Sequence, residues 1–340
     1  MKNYLEGKII LITGGAGSIG SEIARSVLKY NPKVVRVLDI NETGLFDLEE
    51  RLQSEKLRPF VGDVRDKERL KRAMSGTDLV FHAAALKHVP LCEYNPFEAV
   101  KTNVVGSQNV LDTAIEERIE RLINISTDKA VNPVNVMGAT KLLSERLTVS
   151  ANYYKGVRGK PVFSCVRFGN VFDTRGSVIP VFRNQIKNGG PITVTNPDMT
   201  RFIMSMPKAI KLLFEATKMA EGGEIFIFKM SALRIGDLAK AMCEELGPKY
   251  GYDSVKIEVV GKRAGEKLHE ELMTGDEAEI AYEDEEMFIV LPQPQEIIGK
   301  IPYKLPDTFK KTKKISYSSG NVKGLTKDDI RAMVRESGVV

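Results

Sequence analysis

A hydroxyl, a carboxylic acid and an amine stand side by side as Thr127, Asp128 and Lys129, and a second lysine, Lys141, follows within the next helix-like segment. An adjacent acid and amine can act as general acid and general base when each is held against a reacting group. Met137, four positions before Lys141, carries a thioether that cannot donate or usefully accept a proton. Proton transfer here therefore depends on residues 127 to 129. The structural alternative is a helix N-cap at Thr127 or Asp128.

The glycine-rich segment of residues 13 to 20 is a second candidate site. It reads Thr-Gly-Gly-Ala-Gly-Ser-Ile-Gly, follows an apolar run and opens a helical pattern. Glycines permit a tight turn and let the backbone approach a pyrophosphate at a helix N-terminus, where free N–H groups and the helix dipole favour anions. A tight glycine turn without a ligand is the alternative. The segment predicts a dinucleotide site that includes Gly14, Gly15, Gly17, Ser18, Ile19 and Gly20.

Asp39 follows the glycine turn at the end of the second apolar run. Its carboxylate is placed to accept hydrogen bonds from the adenosine ribose hydroxyls, and its charge would repel a 2′-phosphate. No arginine directly follows it, since the next residues are Ile-Asn-Glu. We therefore expect NAD as the cofactor, with NADP as the alternative.

Two further segments are candidates for cofactor contacts. Asp63 and Val64 follow the third apolar run, where such folds bind the adenine edge, although Asp63 could instead cap a helix. Ala83 and Ala84 follow the fourth run and offer small side chains against which a flat cofactor can lie.

The elements that must position these residues form a regular alternation. The predicted strands are Ile9–Thr13, Val34–Asp39, Arg58–Val61, Leu79–His82, Arg121–Ser126 and Val162–Arg167. The predicted helices between them are Ser18–Lys29, Thr43–Ser54, Lys67–Met74, Pro96–Glu117 and Ala139–Tyr154. This alternation predicts an α/β fold with right-handed crossovers and a doubly wound parallel sheet of the Rossmann type. Ligands of such sheets bind beyond the carboxyl ends of the strands, where the candidates lie.

The pattern loosens after residue 172, where Pro and Gly become frequent. We expect a dinucleotide-binding domain over residues 1–172, to which parts of 202–246 return with helices near Pro207–Ala220 and Ile235–Glu245. We expect residues 173–200 and 247–340 to form a smaller C-terminal substrate lobe.

Composition excludes several classes of protein. The chain is 42% hydrophobic and 28% charged, with a net charge of only +5, and the basic run 310–314 fits a solvated surface better than a nucleic-acid site. No apolar stretch approaches the roughly 18 residues of a membrane span. Three scattered cysteines and three scattered histidines form neither disulfide nor metal spacing. We expect a cytoplasmic protein with no metal, nucleic-acid or membrane partner.

Together these motifs resemble the extended short-chain dehydrogenase/reductase superfamily, and more narrowly its UDP-N-acetylglucosamine 4,6-dehydratases (inverting) of polysaccharide and glycan biosynthesis. The resemblance covers roughly residues 7–275. It rests on the segments Ser126–Pro133, Met137–Lys141, Ala83–Pro90, Arg167–Val171, Arg175–Pro180, Asp198–Phe202 and Arg263–Lys267. Met137 stands where short-chain dehydrogenases place a catalytic tyrosine, and several of these dehydratases likewise have methionine there.

The resemblance implies the reaction and the role of each residue. NAD oxidises C4 of the sugar, the neighbouring C5 proton is removed, water leaves from C6, and the hydride returns to C6. Asp128 is implied as the acid at O6 and Lys129 as the base at C5, roles that the two side chains can fill if their pKa values are shifted towards neutrality. Thr127 is implied at the C4 oxygen in place of the tyrosine, and Lys141 at the nicotinamide ribose.

The UDP-sugar requires contacts of its own. Arg263 suits a bidentate diphosphate contact and Glu266 suits ribose hydroxyls. By resemblance, Asn170 and Arg201 face the diphosphate, and Lys87 can reach a phosphate or a sugar hydroxyl. A surface ion pair is the alternative for each arginine.

Two other functions remain open. A UDP-sugar 4-epimerase has the same fold but depends on the tyrosine, and a non-catalytic NAD-binding sensor or scaffold would account for its loss. The resemblance also implies a homo-oligomer, a dimer or larger, paired through Pro96–Glu117 and Ala139–Tyr154.

Overall fold

The computed structural model describes residues 2–155, 160–292 and 303–336 of the 340-residue chain. Its strands are β1 (Ile9–Thr13), β2 (Val34–Asp39), β3 (Leu57–Val61), β4 (Leu79–His82), β5 (Arg121–Thr127), β6 (Val162–Phe168), β7 (Asn170–Val171), β8 (Ile192–Val194), β9 (Thr200–Met204), β10 (Ile225–Phe228), β11 (Ser231–Arg234), β12 (Ile257–Val259), β13 (Glu271–Met273), β14 (Ala281–Glu283), β15 (Met287–Val290), β16 (Lys310–Lys311) and β17 (Tyr317–Ser318).

The helices enclose and connect these strands. They are α1 (Lys2–Leu5), α2 (Ser18–Leu28), α3 (Glu42–Leu52), α4 (Lys67–Met74), α5 (Val89–Tyr94), α6 (Pro96–Val100), α7 (Gly106–Glu116), α8 (Val136–Tyr154), α9 (Val178–Lys187), α10 (Met206–Met219), α11 (Ile235–Leu246), α12 (Gly275–Glu279) and α13 (Lys327–Glu336). A π-helical turn, Lys101–Val105, joins α6 to α7. Short 3-10 turns cover Asp128–Ala130 and Pro248–Tyr250.

A ten-stranded sheet forms the centre of the molecule, in the order β16-β14-β15-β10-β6-β5-β4-β1-β2-β3. Strands β1 to β6 and β10 run parallel, which confirms the predicted doubly wound sheet. Strands β14, β15 and β16 add an antiparallel edge. These three strands come from the part of the chain that we expected in the smaller lobe.

The predicted strands and helices of the first half are present, with ends that move by a few residues. Helix α8 begins at Val136 rather than Ala139 because the Asn135 side chain caps it by accepting from the Gly138 N–H. The predicted helix Pro96–Glu117 is interrupted by the π-helical turn. Helix α5 was not predicted, because its apolar and polar residues show no helical period.

The helices of the second half of the chain pack in two separate apolar clusters. Helix α10 packs its buried face in the cluster of the main sheet, together with α2. Helix α11 instead packs with α9 and α13 in a second cluster that includes β8. Among the described residues, no helix has the length and apolar character needed to cross a membrane.

Candidate active site

The glycine turn between β1 and α2 could not be built from larger residues. Gly14 has a φ of +68°, and a Cβ there would lie 2.6 Å from the Ala84 nitrogen. A Cβ on Gly20 would lie 2.3 Å from the Gly14 carbonyl oxygen. Since real Cβ atoms do not approach so closely, the turn requires glycine, and it brings the Ala83–Ala84 backbone against the N-terminus of α2. This is the cradle that a dinucleotide pyrophosphate fits.

Asp39 lies beside this turn. Its Oδ2 accepts a hydrogen bond from the Ala16 N–H at 3.0 Å, and its Oδ1 accepts from the Asn41 N–H at 2.9 Å. These two backbone bonds fix the carboxylate, while each oxygen retains acceptor capacity. The turn and this carboxylate together fit an NAD-type dinucleotide.

Asp63 is held by an arginine and does not cap a helix. Its two oxygens accept from the backbone N–H and the Nε–H of Arg65, each at 2.8 Å, and Asp66 caps α4 instead. Burial would raise the pKa of Asp63, but the hydrogen bonds from Arg65 outweigh it, so the pKa is lowered. The neighbouring Val64 is buried.

A loop from the second half of the chain crosses the glycine turn. The Arg175 N–H donates to Ser18 Oγ at 3.0 Å, and its guanidinium donates to the Ala16 carbonyl. Lys87 Nζ donates to the Arg175 carbonyl at 2.5 Å. Burial, with a smaller contribution from Arg175, lowers the pKa of Lys87. We had not assigned Arg175 to the site, although it lies in one of the motif segments.

The acid and the amine meet as predicted at the carboxyl end of β5. Asp128 is fully buried, and its Oδ1 accepts from Lys129 Nζ at 3.0 Å and from Thr127 Oγ1 at 2.8 Å. Thr127 Oγ1 also accepts a hydrogen bond from the Lys129 N–H at 3.4 Å, which is the predicted N-cap. The cap is therefore present together with the contacts among Thr127, Asp128 and Lys129, which we call the array. The second oxygen of Asp128, Oδ2, has no hydrogen-bond partner among the described residues.

Sequence reasoning missed a second carboxylate at this array. Glu270 is 3% exposed, and its Oε1 lies 3.6 Å from Lys129 Nζ and 3.8 Å from Arg201 Nε. Glu270 lies three positions after Lys267, the last residue of the motif segment Arg263–Lys267. Extending that segment by three residues would have included it among the candidates.

The charge state of Lys129 corrects one expectation. Burial would lower its pKa, but the charges of Asp128 and Glu270 outweigh burial and raise it. The condition that its pKa be shifted towards neutrality is therefore not met in this structure, because the charges of Asp128 and Glu270 favour the ammonium.

Lys141 and Met137 lie on the first turns of α8 in different surroundings. Lys141 is buried, its Nζ donates to the Ile125 carbonyl at 2.7 Å, and burial lowers its pKa against the opposing charge of Glu145. Met137 packs in a small apolar cluster with Cys92 and Ala99. The side chain at the expected tyrosine position thus has an apolar packing role.

The residues proposed for the UDP moiety do not all lie together. Arg263 and Glu266 line an open cavity of about 640 Å³ with Val134, and Glu266 accepts from the Arg263 N–H at 3.2 Å. Two hydrogen bonds join this loop to the segment that follows Lys129. Lys267 Nζ donates to the Val131 carbonyl at 2.7 Å, and Asn135 Nδ2 donates to the Gly265 carbonyl at 2.9 Å. Arg201 lies at the array itself.

Asn170 begins β7 directly after Gly169, where a Cβ would lie 3.2 Å from Asp128 Oδ2. The backbone at Gly169 therefore passes close to the Asp128 carboxylate. No group of three or more His, Cys, Asp or Glu side chains in the described parts of the chain could hold a metal ion.

A buried hydrogen-bond chain joins the glycine turn to the helices that flank it. Thr13 Oγ1 bonds His82 Nδ1 at 2.7 Å, His82 Nε2 bonds Ser107 Oγ at 3.0 Å, and Ser107 Oγ bonds Ser144 Oγ at 2.9 Å. Burial, assisted by Lys141, lowers the pKa of His82 to about 3, so the imidazole is neutral. No spacing signal in a single sequence marks such a chain.

Comparison with known proteins decides the family. The family model described as polysaccharide biosynthesis protein matches residues 10–292. The chain belongs to this family. A relative from Campylobacter jejuni, named UDP-N-acetylglucosamine 4,6-dehydratase (inverting), is 40% identical over 93% of this chain and 93% of its own length. A relative from Methanocaldococcus jannaschii, named an uncharacterized membrane protein, is 57% identical over 99% of this chain and 98% of its own.

Solved structures show the fold of this polysaccharide biosynthesis protein. Pen from Bacillus thuringiensis superposes with a TM-score of 0.92 at 43% identity, covering 99% of both chains. The dTDP-glucose 4,6-dehydratase DesIV of Streptomyces venezuelae, solved with NAD and TYD bound, superposes with a TM-score of 0.69 at 24% identity over 76% of this chain and 86% of its own. The fold is the Rossmann fold of extended short-chain dehydrogenases, as the sequence predicted.

Epimerases are also similar to this family member. A protein of Rickettsia akari named UDP-glucose 4-epimerase is 38% identical over 96% of this chain and 95% of its own length. Similarity alone therefore leaves two reaction types to compare at the level of the site.

Proposed function

We propose that this protein is an NAD-retaining UDP-N-acetylglucosamine 4,6-dehydratase. It forms a UDP-4-keto-6-deoxy sugar with inversion at C5, for surface polysaccharide or glycan biosynthesis. One observation carries the proposal: the buried Asp128 carboxylate touches Lys129 Nζ at 3.0 Å at the end of β5. Elimination of water needs such an acid–base pair, and the Campylobacter jejuni relative is named for that reaction.

The residues of the glycine turn, with Asp39, Ala83 and Ala84, would hold NAD. Bound there, NAD would supply the acceptor for a hydride from C4 of the sugar and the donor that returns it to C6. Lys141, buried at the start of α8, is suited to bind ribose hydroxyls.

The acid–base pair accounts for the loss of water. Transfer of one proton from Lys129 Nζ to Asp128 Oδ1 across their 3.0 Å contact gives a neutral amine and a carboxylic acid without changing the net charge. The amine then takes the C5 proton, and the acid protonates O6 as water leaves. These two steps return Lys129 to the ammonium and Asp128 to the carboxylate, which is the starting pair. Thr127 Oγ1, which bonds Asp128, is placed to receive the O4 proton and relay it.

The UDP moiety is assigned to the smaller lobe. Arg263 and Glu266 line the open cavity, Arg201 lies beside Glu270, and Lys87 bonds the Arg175 carbonyl in the loop that crosses the glycine turn. Asn170 begins β7. We keep the division into a cofactor domain (1–172 with parts of 202–246) and a substrate lobe (173–200 and 247–340) as part of the proposal.

We also propose a homo-oligomer in the cytoplasm. Large apolar side chains are exposed on the two helical segments expected to pair subunits, among them Phe97 at 68% and Leu143 at 50% exposure. The cysteines at 92, 165 and 243 are free, which fits a reducing compartment.

Mass spectrometry of the nucleotide sugar tests the function. Purified protein incubated with UDP-N-acetylglucosamine is expected to give a product that has lost one water. A 4-epimerase would conserve the mass, and a sensor would leave the sugar unchanged. The epimerase alternative is supported by the Rickettsia akari relative, but Met137 cannot move a proton at O4 and packs in an apolar cluster.

The cofactor preference follows from Asp39. Its fixed carboxylate would repel a 2′-phosphate, so we expect tighter binding of NAD than of NADP. Calorimetric titration of the cofactor-free protein with each nucleotide measures the difference. Tighter binding of NADP would overturn the assignment of Asp39.

The fate of hydrogen at C5 tests the elimination. If the C5 proton leaves and a proton from another donor returns, the reaction in deuterated water places deuterium at C5. The hydrogen that moves from C4 to C6 is expected to stay unexchanged. Product NMR reports both positions and the C5 configuration. A product without deuterium at C5 excludes this mechanism, whereas deuterium with retained configuration removes only the inverting assignment.

A further inference from the structure

Glu270 has an unusual environment for a carboxylate. It is almost completely buried, and its Oε2 has no hydrogen-bond partner among the described residues. Leaving a buried polar atom unpaired costs stability, so its retention requires an explanation.

The backbone of Glu270 is fixed from two sides. Its N–H donates to Ser319 Oγ at 2.9 Å, and its carbonyl accepts from the Ser319 N–H at 2.8 Å. Ser319 Oγ in turn bonds Thr200 Oγ1 at 2.7 Å, on the strand that carries Arg201. The carboxylate is therefore anchored where β9, β13 and β17 meet, rather than hanging from a free loop.

The same carboxylate faces the proposed base. Its Oε1 lies 3.6 Å from Lys129 Nζ, while Asp128 Oδ1 lies 3.0 Å from that nitrogen on its own turn. Arg201, with Nε 3.8 Å from Glu270 Oε1, is the cation on the other side of the carboxylate and opposes its effect. Among the described residues, these are the charged groups that face Lys129 from the elements around it.

We propose that Glu270 is a positioning residue for dehydration, which holds Lys129 against Asp128 and controls how readily Lys129 gives up its proton. The catalytic role of Glu270 rests on the proposed function, but its effect on the position and charge of Lys129 does not. A second negative charge keeps the ammonium in place between the two carboxylates. It also opposes loss of the proton, so the amine becomes neutral only at higher pH than it would beside Asp128 alone.

The substitution Glu270→Gln removes the charge and keeps the shape. Because the pKa of Lys129 depends on this charge, its titration is expected to move to lower pH by about one unit. Because Asp128 receives from Lys129 the proton that it gives to O6, kcat is expected to fall as Lys129 loses its proton to solvent, and this limb of the kcat–pH profile should move in the same direction. The ¹³Cε resonance of labelled lysine, assigned with Lys129→Met, reports the titration without any need for turnover.

Two further variants control the result. Glu271→Gln removes the same charge one position along the chain, where the side chain bonds Asn132 and not Lys129; the Lys129 titration should not move. Glu270→Asp keeps the charge on a shorter side chain, so the Lys129 titration should move to lower pH by less than in Glu270→Gln. This variant can be measured even if the glutamine variant is unstable. Thermal unfolding of each variant reports folding.

The outcomes separate the two proposals. A Lys129 titration that stays in place in folded Glu270→Gln overturns the role of Glu270, whatever happens to kcat. A shifted titration in a protein that does not dehydrate UDP-N-acetylglucosamine supports Glu270 and removes the proposed function. A loss of kcat without a change in the titration also counts against the role proposed here.

Discussion

Replacing Asp128 by asparagine or Lys129 by alanine is expected to lower kcat for dehydration by about 10²–10⁴-fold, the usual effect of losing a positioned acid or base. Asparagine keeps the shape of Asp128 but cannot pass a proton to O6. Alanine removes the amine that would take the C5 proton. Release of water from UDP-N-acetylglucosamine, followed by mass spectrometry under substrate saturation, measures both effects.

The same two variants should keep the cofactor. Neither side chain lies at the glycine turn, and we expect NAD affinity to change little in either. Lys240→Ala, which removes an exposed lysine from α11, is the matched control and should leave kcat unchanged. Near-normal dehydration by both site variants would show that the acid–base assignment is wrong, even if the protein proved to be a dehydratase.

The two variants should also differ in stability. Lys129→Ala removes the cation beside the buried Asp128 carboxylate and leaves that negative charge uncompensated. Asp128→Asn leaves Lys129 with Glu270 as a partner. We therefore expect the lysine variant to unfold at a lower temperature than the asparagine variant, and activity must be compared well below both transitions.

The first half of the fold was predictable because its signals are local. Each of the first strands is a short apolar run and each crossover helix has its own amphipathic pattern, so β1 and α4 could be given their bounds from sequence alone. The antiparallel edge was not predictable in the same way. Strands β14 and β16 have three and two residues, too few for any alternation to stand out, and their pairing depends on contacts distant in the chain.

The site shows the same division. Thr127, Asp128 and Lys129 are adjacent in sequence, so their contact followed directly from their order. Glu270 reaches Lys129 from a residue 141 positions later in the numbering, and only the docking of β13 beside the turn at 128–130 brings them together. Its charge, together with that of Asp128, raises the pKa of Lys129.

The buried arginine of β6 depends still more on long-range packing. Arg167 is 1% exposed, and its guanidinium makes paired hydrogen bonds to Glu145 at 3.0 and 2.7 Å and to Glu277 at 2.8 and 2.9 Å. It joins α8, which carries Lys141, to α12 in the C-terminal part of the chain. Glu277 also closes the capping box of α12 with Thr274.

Arg167→Met is expected to lower the free energy of unfolding by about 3–5 kcal/mol, because it leaves the buried Glu145 and the partly buried Glu277 without their cation. Urea denaturation followed by circular dichroism measures the change. Arg335→Met is the matched control: Arg335 also pairs with a glutamate through two bonds of 2.7 Å, but in solvent, so little change is expected.

The pH dependence of the same network gives a second measurement. Burial would raise the pKa of Glu277, but Arg167 outweighs it and the pKa lies below its ordinary value of 4.5. A depressed folded-state pKa stabilises the protein above the unfolded-state value, and this contribution is lost as pH falls through the folded-state pKa. The stability difference between the natural protein and Glu277→Gln should thus be largest near neutrality and shrink below about pH 4.5. A difference that stayed constant down to pH 3 would mean that Glu277 stabilises the protein through packing and the helix cap rather than through its charge on Arg167.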